Sequence, residues 1–402
     1  MESKEATNLI SYKWYNSLEQ ISPEDWRNIF GDTKIKSYEL FVSMEKSNFN
    51  KVNLWYLYVS KNNDIQAIIP CFSYILDFGN ILSNAKIKRM VDKVRKLYSN
   101  FLKLKVFVIG SYIATCEDFI GISANLDDSD YKEIINLIHT QLSLKAQAEK
   151  CWMNIVKDVR GSRLDSIKKI LQHYSFHSTF PTTIIPLDNE LPYPKTLKKK
   201  QRKRHRDYIA EFQHSFSWEC ISGFGAYVSL FERLYTNVLN KAKNKFEILD
   251  EVFFNQLNNL MGENIFLLIA RDKAGSIKLI ELVMEDGEKL LPLYLGIDYD
   301  DQNTKTLYLN TIFRTVKEAE NRNKKFVEFG QTSYYPKILS GALVEDVFYG
   351  FYSYHKTINM LICKVLPHMF SPIKIPQNVY QEQYKTLVLE KCRKGGFLII
   401  NK

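Results

Sequence analysis

Hydrophobic and polar positions along this chain alternate between two periods, and the alternation runs through the same order of elements twice. In the first half Trp55-Tyr56-Leu57-Tyr58-Val59 predicts a strand, Asn62-Asn63-Asp64 a turn and Ile65 to Tyr74 a returning strand. A basic helical stretch follows from Ala85 to Leu102, then a strand at Lys105–Ile109, a helix at Tyr131–Ala148 and a strand at Cys151–Val156. A short helix at Ser162–His173 and a strand at Ser178–Pro186 close the half.

The second half reads as helices at Ala226–Lys241 and Asp250–Leu260 and strands at Ile265–Arg271, Ser276–Glu285 and Lys289–Gly296. Asp286-Gly287 between the last two is the clearest hairpin signal in the chain. A helix at Thr304–Arg322 places Leu309, Ile312, Phe313, Val316 and Ala319 on one face. A strand at Lys325–Phe329 ends at Gly330, and Val347–Tyr354 and His355–Val365 read as a last strand and helix. Strands and helices in this order predict an α/β fold with mixed (α+β) sheets, and the repetition predicts a duplicated domain. The expected units are residues 1–190, residues 191–370 and an extension over 371–402 that packs back on the core. A chain of 402 residues is long enough for two domains.

Composition adds that a large core is available, since 45% of residues are hydrophobic and 25 Phe and 24 Tyr are present. Net charge is +10, but eight basic side chains (Lys195, Lys198, Lys199, Lys200, Arg202, Lys203, Arg204 and Arg206) fall in one stretch that contains no acid. The basicity therefore belongs to the joint between the halves. The polar N-terminus has no apolar run after it, no segment has the ~20 apolar residues of a membrane span, and the six cysteines form no CxxC pair, which predicts free buried thiols and a cytoplasmic protein. His173 and His177 are four apart, but the second begins a strand, so a shared metal face is not expected. No GxSxG, Walker A or GxGxxG motif is present. The helix over Ala85 to Leu102 carries Ile87, Met90, Val91, Val94, Leu97 and Phe101 as an apolar stripe, read as a core-packed face in preference to a membrane-surface one.

Three stretches of the second half resemble the tandem-GNAT acyltransferases related to the FemABX peptidyltransferases. They are Leu197-Lys198-Lys199-Lys200-Gln201-Arg202-Lys203-Arg204, then Phe231-Glu232-Arg233-Leu234-Tyr235 with Phe253-Phe254-Asn255-Gln256-Leu257, and Phe329-Gly330-Gln331-Thr332-Ser333-Tyr334 with Lys337 and Gly341-Ala342. The last is the most specific. The similarity spans Leu191 to Leu366; the first half is similar only in element order and in Ile68-Ile69-Pro70 ending a strand. The resemblance implies two GNAT-like domains joined by the basic segment. It also implies metal-independent N-acyl transfer from a thioester donor, CoA or a carrier protein, to a small-molecule or peptide amine. Two alternatives stay open: aminoacyl-tRNA-dependent peptidyl transfer, and a catalytically degenerate binding protein. No tightly bound cofactor is expected; acyl-CoA, acyl-carrier protein or aminoacyl-tRNA would be a co-substrate.

On that reading Tyr294 and Gly296 form one wall of a cleft and Gly330, Gln331 and Thr332 the other. Gln331 can orient a carbonyl or simply satisfy strand-end backbone. Tyr334 can return a proton to the leaving group, and Lys337 can meet a phosphate or carboxylate. The loop Gly296-Ile297-Asp298-Tyr299-Asp300-Asp301-Gln302 is acidic where a pyrophosphate cradle would need bare amides. Asp298 there is either a helix-capping residue or a general base. Lys198, Lys199, Lys200, Arg202 and Arg204 can bind a phosphate-rich partner such as tRNA, an acidic carrier protein or anionic lipid, or can be a solvated face.

Overall fold

The computed structural model describes residues 10–47, 52–81, 85–188, 192–242, 247–300, 304–365 and 379–400. The strands of the first half are β1 (Ile10–Tyr15), β2 (Asn53–Lys61), β3 (Asp64–Asp77), β4 (Lys103–Ile109), β5 (Gly121–Ile122), β6 (Asn154–Arg160), β7 (Ser175–Ser178) and β8 (Thr182–Pro186). Those of the second are β9 (Phe216–Ile221), β10 (Ile265–Asp272), β11 (Ile277–Asp286), β12 (Lys289–Ile297), β13 (Phe326–Glu328), β14 (Leu343–Glu345) and β15 (Val347–Tyr352). Helices start where short polar side chains occupy their first orphan amides. Ser22 accepts from the Asp25 N–H at 3.0 Å ahead of the helix Pro23–Phe30, and Asp250 accepts from the Phe253 N–H at 2.9 Å ahead of Glu251–Met261.

The strands form two mixed sheets, so the fold is α/β as the periodicity predicts. One runs β1-β2-β3-β4-β6-β15-β7, with β5 on β3; the other runs β9-β10-β11-β12-β13-β8-β14. Position for position the two orders match: an antiparallel meander, a helix (Asp128–Ala148 or Thr304–Asn321), then a strand parallel to the meander's last member. This is the duplication legible in the sequence.

The sixth position departs from the sequence reading. β8, expected to close the first half, lies in the second sheet between β13 and β14. β15, expected to close the second half, lies in the first sheet between β6 and β7. Each half thus lends one strand to the other. The local pattern of apolar residues makes these segments strands but carries no information about the partner. The crossings are short, since only Thr179 to Pro181 separate β7 from β8 and only Asp346 separates β14 from β15.

The halves also share a core. Trp26, Leu40, Phe41, Met44 and Phe119 of the first pack with Phe231, Phe253, Phe254, Leu257 and Met261 of the second in one buried cluster. Beside it Arg160, at 5% exposure, donates to Glu117 at 2.9 Å, Glu328 at 2.5 Å and Glu345 at 2.6 Å. The helix Lys199–Ser215 lies on the helix Thr304–Asn321, where the Asn310 amide donates to the Tyr208 carbonyl at 2.9 Å. Residues 379–400 return to the second half; Val379, Tyr380 and Val388 pack on Leu197, and Cys392 and Phe397 on Phe326.

The helix expected to bury an apolar stripe does not. Over Ala85–Arg95 Val91 is buried, but Met90 is exposed, as are Leu97, Tyr98 and Phe101 beyond it. The segment is held by a polar clamp instead: Arg95 grips Asp77 with both terminal nitrogens and donates to the Phe101 carbonyl at 2.9 Å. Of the cysteines, Cys71, Cys116, Cys151 and Cys392 are buried, whereas Cys220 on β9 is exposed.

Candidate active site

The two parallel strands of the second sheet pair only briefly. Lys289 is opposite Phe326 and Leu290 opposite Val327, and then β12 and β13 part. The separation is forced from within β12. Val283 faces Pro292 and Leu282 faces Tyr294, so Leu293 is an extra residue that bulges the strand, and Pro292 has no N–H to give a neighbour. Gly296, further along, lets the helix Val228–Lys241 approach; a Cβ there would lie 2.7 Å from Leu234 Cβ and 2.9 Å from the Tyr235 nitrogen.

The V between the strands opens into a cavity of about 340 Å³ at the junction of the halves. Tyr294, Phe329, Gly330, Gln331 and Thr332 line it from the second sheet, Tyr235, Val238 and Leu239 from the covering helix, and Tyr112, Cys116, Lys157 and Tyr349 from the first half. A smaller cavity of about 200 Å³ continues past Pro292, Leu293, Phe329 and Gln331 to Glu281, Tyr308, Thr311 and Lys337. Most of the larger wall is apolar or aromatic, with few polar groups, as ligand sites require.

A titratable pair stands in the larger cavity. Glu247 accepts from the Ala114 N–H at 3.0 Å and from the Tyr294 hydroxyl, while burial pushes its carboxyl up to about 7 against the pull of Lys157. Lys157 is itself occupied. It sits at a bulge of β6, where Lys157 and Asp158 together oppose Tyr349 and Asp158 is forced to φ 60°. Its ammonium donates to the Ser111 carbonyl at 3.1 Å and the Ile113 carbonyl at 2.6 Å and pairs with Asp158 at 3.2 Å, fixing the loop that bears Ala114. Glu247 is the residue sequence reasoning missed; it stands between two predicted helices in a lysine-rich stretch with no motif around it.

Of the residues singled out by sequence, Tyr294, Gly330, Gln331 and Thr332 come together on the cavity wall. The Gln331 amide donates to the Phe180 carbonyl at 2.9 Å and to Asp158 at 3.3 Å, and two acceptors there fix which end is the NH₂. Lys337 lies behind this segment rather than facing a phosphate: it is 6% exposed and donates to the Phe329 carbonyl at 2.7 Å, the Gln331 carbonyl at 3.0 Å and, more distantly, the Gly330 carbonyl at 3.5 Å. Burial pulls its ammonium down to about 8, against the charges of Cys116 and Glu281. Tyr334 opens the short helix Tyr334–Leu339 beside Thr332, outside the lining of either cavity, and burial pushes its hydroxyl up.

Asp298 does not act as the base. It lies at the far end of β12, outside both cavities, and although burial opposes it, the Lys278 ammonium at 3.0 Å holds the carboxyl below the usual range. A residue so paired is a poor proton acceptor at neutral pH. The loop it belongs to is also less repulsive than its composition implies, since Lys278 neutralises Asp298 and Lys241 stacks on Tyr299 at 3.4 Å; Asp301 and Gln302 fall outside the described residues. The basic cluster is remote from the cavity as well. Lys198, Lys199 and Lys200 are exposed at the start of the helix Lys199–Ser215, Arg202 donates to the Leu197 carbonyl at 2.9 Å, and Arg204 lies 5.6 Å from the centre of the Tyr208 ring.

A duplicated sheet with a splayed parallel pair over an interdomain cavity is an architecture found in solved structures. FemX superimposes with a TM-score of 0.53 at 11% identity, over 88% of this chain and 100% of FemX. L-PGS from Bacillus licheniformis gives 0.49 at 9% identity over 89% and 96% of the two chains, and a tandem GNAT protein from the clavulanic acid biosynthesis pathway gives 0.46 at 9% over 85% and 98%. The chain therefore shares the FemX fold, and at such identities the likeness is one of fold. No protein-family model and no curated protein sequence matches it. Among the described residues no group of His, Cys, Asp and Glu side chains is arranged to hold a metal, and no helix is long and apolar enough to cross a membrane.

Proposed function

We propose that this chain is an N-acyltransferase that moves an acyl group from a thioester of CoA or a carrier protein to an amine. The observation that carries the reading is Glu247, a carboxyl raised to about 7 in the interdomain cavity and hydrogen-bonded to Tyr294 on the strand that splays from β13. A base with that affinity takes a proton from an ammonium yet releases it again near neutrality.

In the reaction so supported, Glu247 removes the proton of the acceptor's ammonium and the freed amine attacks the thioester carbonyl. The C–N bond forms, the carbonyl π electrons move to oxygen, and on collapse the C–S bond breaks. The proton held by Glu247 goes to the departing sulfur, so amine and thioester become amide and thiol. Tyr294 keeps the carboxyl aimed at the cavity, and the gap between β12 and β13 is the slot for an extended donor arm.

An aminoacyl ester of tRNA is the second donor in contention, favoured by the exposed lysines at the start of the helix Lys199–Ser215. Thermal melts with acetyl-CoA, longer acyl-CoAs, an acylated carrier protein and charged tRNA separate the readings. Stabilisation by a thioester, followed by amide formation with an added amine, supports the proposal. Stabilisation by charged tRNA alone transfers it to the ester donor, and stabilisation by none leaves a binding protein on this fold.

A further inference from the structure

The end of β13 has an arrangement of peptide groups that hydrogen bonding within the described residues leaves half used. The Phe329 carbonyl accepts from Lys337 Nζ at 2.7 Å. The Gly330 carbonyl accepts from the Thr183 hydroxyl at 2.9 Å and lies 3.5 Å from the same ammonium. Both carbonyls are thereby turned to the side of β8 and the helix Tyr334–Leu339. In a planar trans peptide the N–H points opposite to the C=O. The N–H groups of Gly330 and Gln331 must then point the other way, into the V between β13 and β12, where both residues line the larger cavity. Neither N–H has a hydrogen-bond partner among the described residues. The facing bulge of β12 carries Pro292, which has no N–H to contribute. Gly330 holds φ 64° with open space where a Cβ would be, so its backbone conformation, rather than crowding, calls for glycine.

We infer that the Gly330 and Gln331 amides form an oxyanion hole for the tetrahedral intermediate of acyl transfer, and that Lys337 and Thr183 are positioning residues that aim it by fastening the carbonyls behind. This rests on the acyl-transfer reading above. Two converging amides supply hydrogen bonds to the carbonyl oxygen as it gains charge, with no reorganisation at the moment of reaction. A buried cation on the carbonyl side of the same peptides polarises them in the direction that strengthens donation. Lys337 itself never touches substrate; its hydrogens are taken by the chain.

The test couples kinetics to an amide signal. Purified full-length protein, wild type, Lys337→Met and Thr183→Val, is assayed with whichever donor the melts select and is also labelled with ¹⁵N-glycine. Methylphosphonate, a tetrahedral anion, is titrated as the probe. Expected are a fall in kcat of about a hundredfold for Lys337→Met and about tenfold for Thr183→Val, with KM within about threefold. The Gly330 amide resonance should move saturably with methylphosphonate in wild type and not in Lys337→Met. Unchanged kcat in Thr183→Val together with an unresponsive Gly330 amide overturns the hole, and Thr183→Val decides alone if Lys337→Met does not fold. An effect confined to KM overturns it too, by making the segment a ground-state binding site. A responsive Gly330 amide in a protein that transfers nothing from any donor keeps the anion hole and overturns acyl transfer.

Discussion

Single side chains set the chemistry and can be read through pH. Glu247 must be ionised to accept a proton, so wild-type turnover should rise with pH through about 7. Glu247→Gln should keep its fold and lose about a hundredfold in kcat across the range; a variant with wild-type turnover and an unaltered pH profile would remove Glu247 from the mechanism. Lys337 bounds the other side, since losing its proton above about 8 weakens the grip on the Phe329 and Gln331 carbonyls; Cys116 and Glu281 are the charges that face it. Glu281 gives a stability signature of its own. Burial raises it from 4.5 to about 7, against the hydrogen bond with Thr315 at 2.5 Å. The protonated acid donates to Thr315, which donates in turn to the Thr311 carbonyl at 2.8 Å. With the folded-state affinity raised, the folded protein holds a proton that the unfolded chain has lost between these two values. Its stability contribution is complete below 4.5 and disappears as pH rises through about 7. Glu281→Gln should therefore gain melting temperature relative to wild type on going from about pH 5 to about pH 8, and a constant difference across that interval would contradict the assignment. At this scale the sequence was half legible. Gly330-Gln331-Thr332 could be found because a motif surrounds it, whereas Glu247 is made functional only by burial against Tyr294 and Ala114, which come from distant parts of the chain.

Elements were more legible than their neighbours in space. Periodicity locates the meanders, the Asp286-Gly287 hairpin and the helix Thr304–Asn321, because each is written in local alternation of apolar residues. It does not reveal that β8 and β15 change places, because pairing partners far apart in sequence leave no local trace. The exchange makes a physical claim about dissection. Residues 192–402 alone would lack β8 and leave a gap between β13 and β14, and residues 1–188 would lack β15 between β6 and β7. Neither fragment should give a cooperative melt alone; mixing them should restore one, as circular dichroism would show. An independently folded fragment would mean that the borrowed strand is dispensable.

For the whole molecule, the shared core and the Arg160 cluster predict a single thermal transition. Trp26→Ala, at the centre of the interdomain aromatics, should cost about 3–5 kcal/mol and lower the melting of both halves together in calorimetry. Arg160→Met should be as severe, about 3–5 kcal/mol, because it leaves Glu117, Glu328 and Glu345 buried without their common partner. Two resolved transitions in either variant would show that the halves melt independently.

Strand exchange also bears on how the chain is made. A ribosome releases the first half long before Val347 exists, so the nascent first sheet has a vacancy between β6 and β7 through most of synthesis. Meanwhile β8 is an edge with no sheet of its own, and Thr182 to Pro186 must wait for Phe326 to Glu328 to emerge. Two nascent chains held close on one message could trade these strands with each other as readily as each does with itself. Dilution during synthesis and prompt chaperone cover should therefore raise the yield of monomer, while a sparse second product, twice the mass and built from the same contacts, would be the mark of strands delivered to the wrong chain.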